Sequence, residues 1–340
     1  MKSKKKSYFI NVLIILMLTL GSLWLALKDN YQLIIEQFSK MNFLYLILIL
    51  FWGALFTAVW GLVYYVYGKK YKQGYSIRNG MAVSFVGAFF AGITPSSTGG
   101  QFFQVYIMDK QGIKYSDSAS ILWADFIIYQ TTMMIYVTIL FALKFNYYLT
   151  QSKWLYILLV GYLINLIVVI ALYTIAIFPN FYIKLSQKLV VFLGKIHILK
   201  DPEHQLIAWN EQIHNFTVQI KILSKDKASI FKCVIINFVR LTLLFSLPFV
   251  IAKGLAIPID YSQLLDVIAL SSFVTTANSF IPIPGASGGT ELVFSLLFNY
   301  LFADLTGAVL VLWRFSSYHL VLFFGGILFL YAKRKYESKK

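Results

Sequence analysis

Charged residues and cysteine are scarce in this sequence. Asp, Glu, Lys and Arg together make up 13% of the 340 residues, whereas an average soluble domain contains about a quarter. The single cysteine, Cys233, excludes an internal disulfide and a cysteine-rich metal cluster. The motifs of zinc proteases, P-loop nucleotide-binding proteins and serine hydrolases are also missing. We therefore expect neither a metal nor another cofactor.

Apolar residues, by contrast, are abundant. They form 59% of the chain, and the mean hydropathy is +0.71. Several apolar runs reach the roughly 20 residues that a helix needs to cross a bilayer. The sequence therefore predicts an all-α polytopic membrane protein. Its six full spans are expected at 8–27, 42–68, 117–143, 154–178, 229–252 and 306–331.

The formal net charge of +16 is distributed unevenly. If the N-terminus lies in the cytoplasm, 23 of the 30 Lys and Arg residues fall on the cytoplasmic side. This asymmetry predicts a multi-pass protein of the bacterial cell (inner) membrane with both termini in the cytoplasm. Because topology accounts for the basic charge, a nucleic-acid partner gains no support. The amphipathic segment 179–227 is predicted to form helices on the cytoplasmic membrane surface.

Two glycine–proline breaks interrupt apolar runs. Residues 95–100 and 284–289 both read Pro-x-x-(Ser/Thr)-Gly-Gly. Non-helical backbone within a membrane is stable only where protein or water provides hydrogen-bond partners for its N–H and C=O groups. Such breaks therefore usually line a cavity. We expect two opposed re-entrant hairpins, within 81–113 and 262–303. The arms of the first hairpin, at about 20 Å each, are too short to span. The first arm of the second is long enough, so a full crossing stays open there.

The two breaks occupy equivalent places in two halves of the chain. Residues 42–143 and 229–331 each contain a span, a broken segment and a span. The single crossing at 154–178 separates these units, so the second enters the membrane from the opposite side. The sequence thus predicts an inverted-topology repeat, which is typical of secondary transporters. Asp125 and Arg314 are separated by the same number of residues as the two breaks, so they occupy equivalent positions in the two units.

Charged residues within apolar segments are costly and are candidates for function. They are Arg240, Arg314, Asp125, Asp266 and Glu291. One interpretation is that they form internal ion pairs, which fix helix packing. The other is that the arginines bind a lipid phosphate while the acids contact an amine or a proton. The second predicted span is rich in aromatic residues near its ends, and an aromatic belt is expected to explain most of them. They are Trp52, Trp60, Tyr64, Tyr65 and Tyr67.

Polar residues and helix breakers surround both hairpin tips. The candidate binding residues there are Thr94, Ser96, Ser97, Thr98, Gln101, Asn278, Ser287 and Thr290. The residues expected to shape the breaks are Pro95, Gly99, Gly100, Pro282, Pro284, Gly285, Gly288 and Gly289. A helix that begins after each Gly-Gly pair directs free N–H groups at the break, which favours an anion there.

Three sequence motifs resemble those of the lysylphosphatidylglycerol synthase transmembrane-region family, also called flippase-like. The second break and Glu291 resemble its Pro-Gly-x-x-Gly-x-x-Glu motif, with a slightly different spacing and one extra glycine. The first break resembles its Thr-Pro…Gly-Gly segment, and residues 314–318 resemble its Arg-x-x-(Ser/Thr)-Tyr motif. The resemblance covers nearly the whole chain.

The resemblance implies a membrane domain that moves an aminoacylated or otherwise modified phospholipid between leaflets. In full-length members a soluble domain transfers lysine from lysyl-tRNA to phosphatidylglycerol, and we expect that domain to be missing here. A lipid flippase is therefore the leading hypothesis, and an enzymatic activity is less expected. The alternatives are a phosphatidylglycerol lysyltransferase (or a subunit of one) that confers resistance to cationic peptides, and a non-transporting envelope scaffold. The expected partners are membrane phospholipid, a lipid-modifying enzyme and a second copy of the chain. A nucleic acid, lysyl-tRNA, is expected only under the lysyltransferase alternative.

Overall fold

The computed structural model describes residues 31–94, 97–144, 155–195, 201–278, 281 and 283–337. The predicted first span at 8–27 lies outside them, as do Pro95, Ser96 and Pro282. All of the regular structure within those ranges is helical. The helices are α1 (Tyr31–Lys40), α2 (Phe43–Tyr71), α3 (Ile77–Ile93), α4 (Gly99–Lys110), α5 (Tyr115–Leu143), α6 (Leu155–Ile177), α7 (Pro179–Lys195), α8 (Pro202–Lys225), α9 (Lys227–Gly254), α10 (Leu264–Asn278), α11 (Gly289–Phe302), α12 (Thr306–Arg314) and α13 (Leu320–Glu337). A π-helical turn, Phe315–His319, joins α12 to α13.

Four helical runs are long and apolar enough to cross a membrane. They are Phe43–Tyr71, Tyr115–Leu143, Lys227–Gly254 and Pro284–Lys335. A fifth candidate combines Leu159–Ile175 with Pro179–Val191, which meet at an angle of 112°. The protein is therefore an all-helical multi-pass membrane protein with four or five candidate spans and additional shorter apolar helices. The predicted crossing at 154–178 corresponds to α6 and counts as a span only together with the bent α7.

The run Pro284–Lys335 does not form one straight helix. Ala303 has φ 45° and ψ −126°, which are not helical angles. The rings of Phe294 and Trp313 are stacked with centroids 4.9 Å apart, although nineteen residues of continuous helix would separate them by about 28 Å. The chain therefore reverses at Ala303. Helix α12, the π-helical turn and α13 together form the last long segment, where the sequence predicts a span at 306–331.

Side-chain caps explain where several helices begin. The Asn42 side chain accepts from the Leu44 N–H at 2.8 Å at the start of α2. Ser76 and Asp226 accept backbone N–H groups at the starts of α3 and α9. Such caps stabilise a helix by satisfying N–H groups that have no partner within it. Because of the Ser76 cap, α3 begins at Ile77 rather than at the predicted residue 81.

The first break lies at the tip of a helical hairpin made of α3 and α4. The rings of Phe90 and Phe103 stack with centroids 3.3 Å apart. At the other end, the Gln111 side chain donates to the Asn79 carbonyl at 3.1 Å. The two arms are therefore antiparallel. Their 17 and 12 residues correspond to about 26 and 18 Å, shorter than the roughly 30 Å hydrocarbon core.

The second break joins α10 to α11, which also pack against each other. These arms have 15 and 14 residues, or about 22 Å each. Both are again too short to cross a bilayer alone. Helix α6 packs against α10, where the Asn165 side chain donates to the Thr276 carbonyl at 3.4 Å.

Two clusters of buried apolar side chains stabilise the fold. One contains Phe245, Phe273 and Phe294 and surrounds the second hairpin. The other contains Tyr64, Val83 and Phe90 and surrounds the first. Helices α2, α5 and α9 contribute to both clusters and therefore connect the two halves.

Helices α2 and α3 cross at two glycines. A methyl group on Gly61 would lie 2.6 Å from the Met81 Cα, and one on Gly80 would overlap the Gly61 carbonyl. Backbone atoms cannot move aside as the end of a side chain can. The close approach of these helices therefore requires glycine at both positions.

We expect Gly80→Ala to destabilise the protein by about 1–3 kcal/mol, because overpacking at a helix contact forces the backbone apart. The matched control is Gly161→Ala, where the new methyl group would meet Thr276 at 3.6 Å, an ordinary contact. Thermal unfolding of purified variants in detergent measures the difference. Equal melting temperatures for the two variants would contradict this account of the crossing.

Candidate functional site

The two breaks meet at one cavity with a volume of about 570 Å³. Ser97 contributes from the first break, and Ile283, Gly285 and Ala286 contribute from the second. The other lining residues are Phe56, Ala88, Gly92, Phe126, Tyr129, Gln130, Thr275, Asn278, Ile281, Ser317, Tyr318, Val321 and Leu322. The wall therefore combines apolar side chains with hydroxyl and amide groups from both halves of the chain.

The backbone at the two tips has matching unusual angles. Ser97 has φ 56° and Ala286 has φ 50°, both in the left-handed region that non-glycine residues rarely occupy. The sequence offset that relates the two breaks also relates Ser97 to Ala286. Such strain persists only where the surroundings enforce it, and it concentrates at functional sites.

A buried ion pair holds the second break. Arg314 Nε donates to Glu291 Oε1 at 2.7 Å, and Arg314 Nη2 donates to the Gly285 carbonyl at 3.0 Å. Glu291 Oε2 accepts the Gly288 N–H at 2.6 Å. The side chains of Arg314 and Glu291 are 6% and 3% exposed. The pair therefore fixes the loop through its backbone groups, whereas the ion-pair interpretation of the sequence expects such a pair to fix helix packing.

Tyr318 connects this ion pair to the first break. The Arg314 guanidinium lies 4.7 Å from the centroid of the Tyr318 ring. The Tyr318 hydroxyl donates to the Gly92 carbonyl at 3.0 Å, near the end of α3. A methyl group on Gly285, whose φ is 61°, would overlap the Tyr318 ring. Glycine at this position therefore allows the tyrosine to reach across the cavity wall.

Asp125 forms a second charged cluster. Its Oδ2 atom accepts from Trp60 Nε1 and from the Tyr64 hydroxyl, each at 2.8 Å. The Tyr64 oxygen in turn accepts from Gln104 Nε2 at 2.8 Å. Asp125 Oδ1 is buried and has no hydrogen-bond partner within the described ranges. One carboxylate thus connects α5 to α2 and, through Tyr64, to the α4 arm of the first hairpin.

Arg240 lies beside the Asp125 cluster. Its guanidinium lies 4.4 Å from the centroid of the Trp60 ring and 4.8 Å from that of Tyr129. Its Nη1 donates to the Asn237 side chain at 3.2 Å. Arg240 interacts with Asp125 electrostatically but none of the ion pairs found in the described ranges joins them. Arg240 therefore remains half-buried and keeps part of its donor capacity.

Both arginines are thus stacked on a tyrosine that lines the cavity. Arg240 stacks on Tyr129, and Arg314 stacks on Tyr318. Like Asp125 and Arg314, the two tyrosines are related by the sequence offset between the breaks. A cation over an aromatic face is stabilised without losing its charge. A positive charge therefore lies immediately behind the cavity wall in each half.

The other candidate residues lie in several places. Ser97, Asn278 and Gly285 line the cavity. Asp266 lies elsewhere, at the start of α10, where its carboxylate pairs with Lys144 at 2.7 Å. Gln101 borders a separate groove, and Thr98 is exposed before α4. Local hydrogen bonds engage three further hydroxyls, those of Thr94, Ser287 and Thr290.

The backbone N–H of the first glycine in each Gly-Gly pair already has an acceptor, so it is not free to bind an anion. Thr94 Oγ1 accepts the Gly99 N–H at 2.8 Å, and Glu291 accepts the Gly288 N–H. The glycines instead permit close packing. A methyl group on Gly99 would lie 2.6 Å from Thr94, and one on Gly100 would lie 2.9 Å from the Gly87 carbonyl.

The groove beside the cavity lies between α4 and α5. Its volume is about 280 Å³, and it is lined by Gln101, Phe102, Val105, Tyr115, Ala119, Leu122, Trp123 and Phe126. Phe126 also lines the cavity, so a single ring borders both spaces. Phe102 and Tyr115 are exposed at the outer edge. The groove therefore opens on the exposed surface of the protein next to the cavity.

The aromatic-belt explanation does not hold for Trp60 and Tyr64. Tyr64 is fully buried, and both side chains donate to Asp125. Tyr129 was not singled out from the sequence, and Tyr318 was noted only as the last residue of the Arg-x-x-(Ser/Thr)-Tyr motif, although a further signal exists for both. Each follows an intramembrane charge, Asp125 or Arg314, by four residues, which places it on the same helix face.

Residues 8–325 match the family described as "Lysylphosphatidylglycerol synthase TM region". The chain belongs to this family. The chain is similar to a "UPF0104 membrane protein" of Archaeoglobus fulgidus, with 23% identity over 310 residues. The alignment covers 89% of this chain and 90% of that protein. No solved structure matches the chain significantly. The family match includes both breaks, the Asp125 cluster and the Arg314–Glu291 pair.

Proposed function

We propose that the protein moves an anionic or aminoacylated phospholipid, such as lysylphosphatidylglycerol, between the leaflets of a bacterial cell (inner) membrane. The observation that carries this proposal is the cavity at which both breaks meet, with one arginine behind each of two lining tyrosines. A guanidinium matches a phosphate in charge and geometry. The cavity volume of about 570 Å³ is typical of sites for small organic groups, about 300–1,000 Å³.

In this mechanism only the headgroup enters the cavity. Hydroxyl and amide groups of Ser97, Gln130 and Asn278 replace its water, while the acyl chains stay in the membrane. The groove between α4 and α5 provides the approach, because Phe126 separates it from the cavity. Rotation of the Tyr129 and Tyr318 rings would bring phosphate and guanidinium into contact. The helical wall thereby lowers the cost of moving a charged group through hydrocarbon.

The inverted repeat is part of the same proposal. Units 42–143 and 229–331 would each insert a re-entrant hairpin, from opposite sides of the membrane, among six full spans with cytoplasmic termini. Support comes from the equivalent positions of Ser97 and Ala286, and of Tyr129 and Tyr318. Rocking of one unit against the other would expose the cavity to each leaflet in turn. The segment 179–227 would lie on the cytoplasmic surface.

Narrowing the cavity should stop transport without unfolding the protein. Ala88 lines the cavity and is partly buried, so Ala88→Trp is expected to lower lipid flipping at least about tenfold. The matched control is Ala142→Trp, at an exposed position near the end of α5. Flipping is measured by chemical quenching of fluorescent phosphatidylglycerol and lysylphosphatidylglycerol in proteoliposomes. Wild-type rates in Ala88→Trp, or no acceleration by the wild type over protein-free vesicles, would reject the proposal.

The family description names a synthase, which favours lysyl transfer as a second candidate function. The protein would then transfer lysine from lysyl-tRNA to phosphatidylglycerol, alone or as a subunit of a larger enzyme. Incubation of the purified protein with both substrates tests this directly. Lysylphosphatidylglycerol formation above a protein-free control would support the second candidate, and its absence would remove the activity of the isolated chain.

A further inference from the structure

Asp125 has one carboxylate oxygen that the described residues leave unused. The side chain is largely buried, with the residue 6% exposed. Two donors bind Oδ2, whereas Oδ1 has no hydrogen-bond partner there. Buried polar atoms are normally hydrogen-bonded, so an unused one requires an explanation. An oxygen kept free within an otherwise ordered network is available to a ligand.

The chemistry of the neighbours favours a proton over a metal cation as the ligand of Asp125 Oδ1. Asp125 is surrounded by an indole N–H, a phenol O–H and a guanidinium, from Trp60, Tyr64 and Arg240. A metal cation requires several oxygen ligands that carry lone pairs, and these groups present hydrogens or positive charge instead. A proton requires only one free oxygen. Binding at Oδ1 would convert the carboxylate to a neutral acid while both hydrogen bonds to Oδ2 remain.

The position of Asp125 connects it to the cavity. Phe126 and Tyr129 line the cavity and follow Asp125 on α5. Phe56 also lines it and precedes Trp60 by four residues on α2. Asp125 and Trp60 therefore each lie about one helical turn, 5.4 Å along the helix axis, from a residue that lines the cavity. Arg240 is stacked on Trp60 from this network and on Tyr129 from the wall, so it contacts both environments.

We infer that Asp125 binds a proton when an anionic headgroup draws Arg240 towards the cavity. This inference rests on the proposed function. In the empty protein the Arg240 charge balances the Asp125 carboxylate. Once Arg240 pairs with a phosphate, that carboxylate loses its countercharge within a buried site, where an unbalanced charge is strongly unfavourable. A proton from water then neutralises it, and each anionic headgroup enters together with one proton.

Other titratable groups near Asp125 do not compete for this proton. They are Tyr64 and Tyr67 on α2, Tyr129 on α5, and Cys233 and Arg240 on α9. Ordinary tyrosine, cysteine and arginine side chains already hold their protons at neutral pH. The contact from α4 is Gln104, whose amide does not titrate. Uptake of a proton at this cluster is therefore assigned to Asp125.

Proton uptake on lipid binding tests the inference without requiring transport. Purified protein in weakly buffered detergent at pH 7 is mixed with phosphatidylglycerol, and a pH-indicator dye reports protons removed from solution. The wild type should take up about one proton per bound lipid, and Asp125→Asn should take up almost none. Asp304→Asn, in an exposed turn, should match the wild type. Uptake that persists in Asp125→Asn, or wild-type binding without uptake, would overturn the proton site.

Two further measurements make each outcome decisive. If Asp125→Asn does not fold by thermal unfolding, Asp125→Glu retains the carboxyl group and should retain uptake, whereas Arg240→Gln should abolish it. Loss of uptake in Asp125→Glu would contradict the inference. Wild-type flipping without proton uptake would remove the coupling and leave the transport function intact. Uptake without flipping would remove the transport function and leave a lipid-linked proton site.

Discussion

Arg314→Met is expected to cause a large loss of stability. Removal of the guanidinium leaves Glu291, with a 3% exposed side chain, buried without its partner. Breaking a buried pair in this way costs about 3–5 kcal/mol. The Gly285 carbonyl would also lose its donor, so the second break would no longer be held in shape. Thermal unfolding in detergent should show a melting temperature lower by roughly 10 °C.

The double variant Arg314→Met/Glu291→Leu separates structural from functional effects. Replacing both members of a buried pair with apolar residues is often close to neutral, so much of the lost stability should return. Lipid flipping should stay low, because the cation behind Tyr318 is still missing. A double variant that is both stable and fully active would show that Arg314 serves only the fold. A single variant as stable as the wild type would contradict the ion-pair account.

Arg240→Gln is expected to reduce flipping of anionic lipid by about 10- to 100-fold, because a hydrogen bond to a charged group contributes roughly 1.5–3 kcal/mol. The fold should tolerate this change. Arg240 is half-buried and stacks on Trp60 and Tyr129, contacts that contribute about 0.5–2 kcal/mol. Flipping rates and melting temperatures of the same preparations measure the two effects separately.

Two comparisons sharpen the Arg240 result. Arg240→Lys keeps the charge but loses the planar, bidentate donor, so its flipping rate should lie between those of the wild type and Arg240→Gln. Arg334→Gln removes an exposed arginine near the end of α13 and should leave flipping unchanged. If Arg240→Gln flips lipid normally, the headgroup is not held by this side chain. If it fails to fold, the residue is structural.

The sequence identifies most of the groups in the two charged clusters but not their partners. Asp125, Arg240, Glu291 and Arg314 are conspicuous because charge is rare within apolar runs. Asp266 is equally conspicuous, yet it pairs with Lys144 away from the cavity. Partner choice depends on how helices distant in the chain pack together. A pattern that is local in sequence carries little information about such contacts.

Two aromatic residues of the site, by contrast, do not stand out in the sequence. Tryptophan and tyrosine are common at membrane interfaces, so Trp60 and Tyr64 have an ordinary explanation in the sequence. In the structure they are the donors that hold Asp125. Helix α2 places both on one face, four residues apart. Only the position of α5 shows which face that is.

Sequence alone is enough to show that this protein is helical, lies in a membrane and is interrupted twice by matched proline–glycine breaks. These features follow from local physics: apolar runs require a bilayer, and proline and glycine end helices. Helix packing in three dimensions was needed to show that both breaks border one cavity, that Arg314 pairs with Glu291, and that Arg240 connects Asp125 to the cavity wall. These contacts join residues far apart in the chain, and the packing of whole helices selects them.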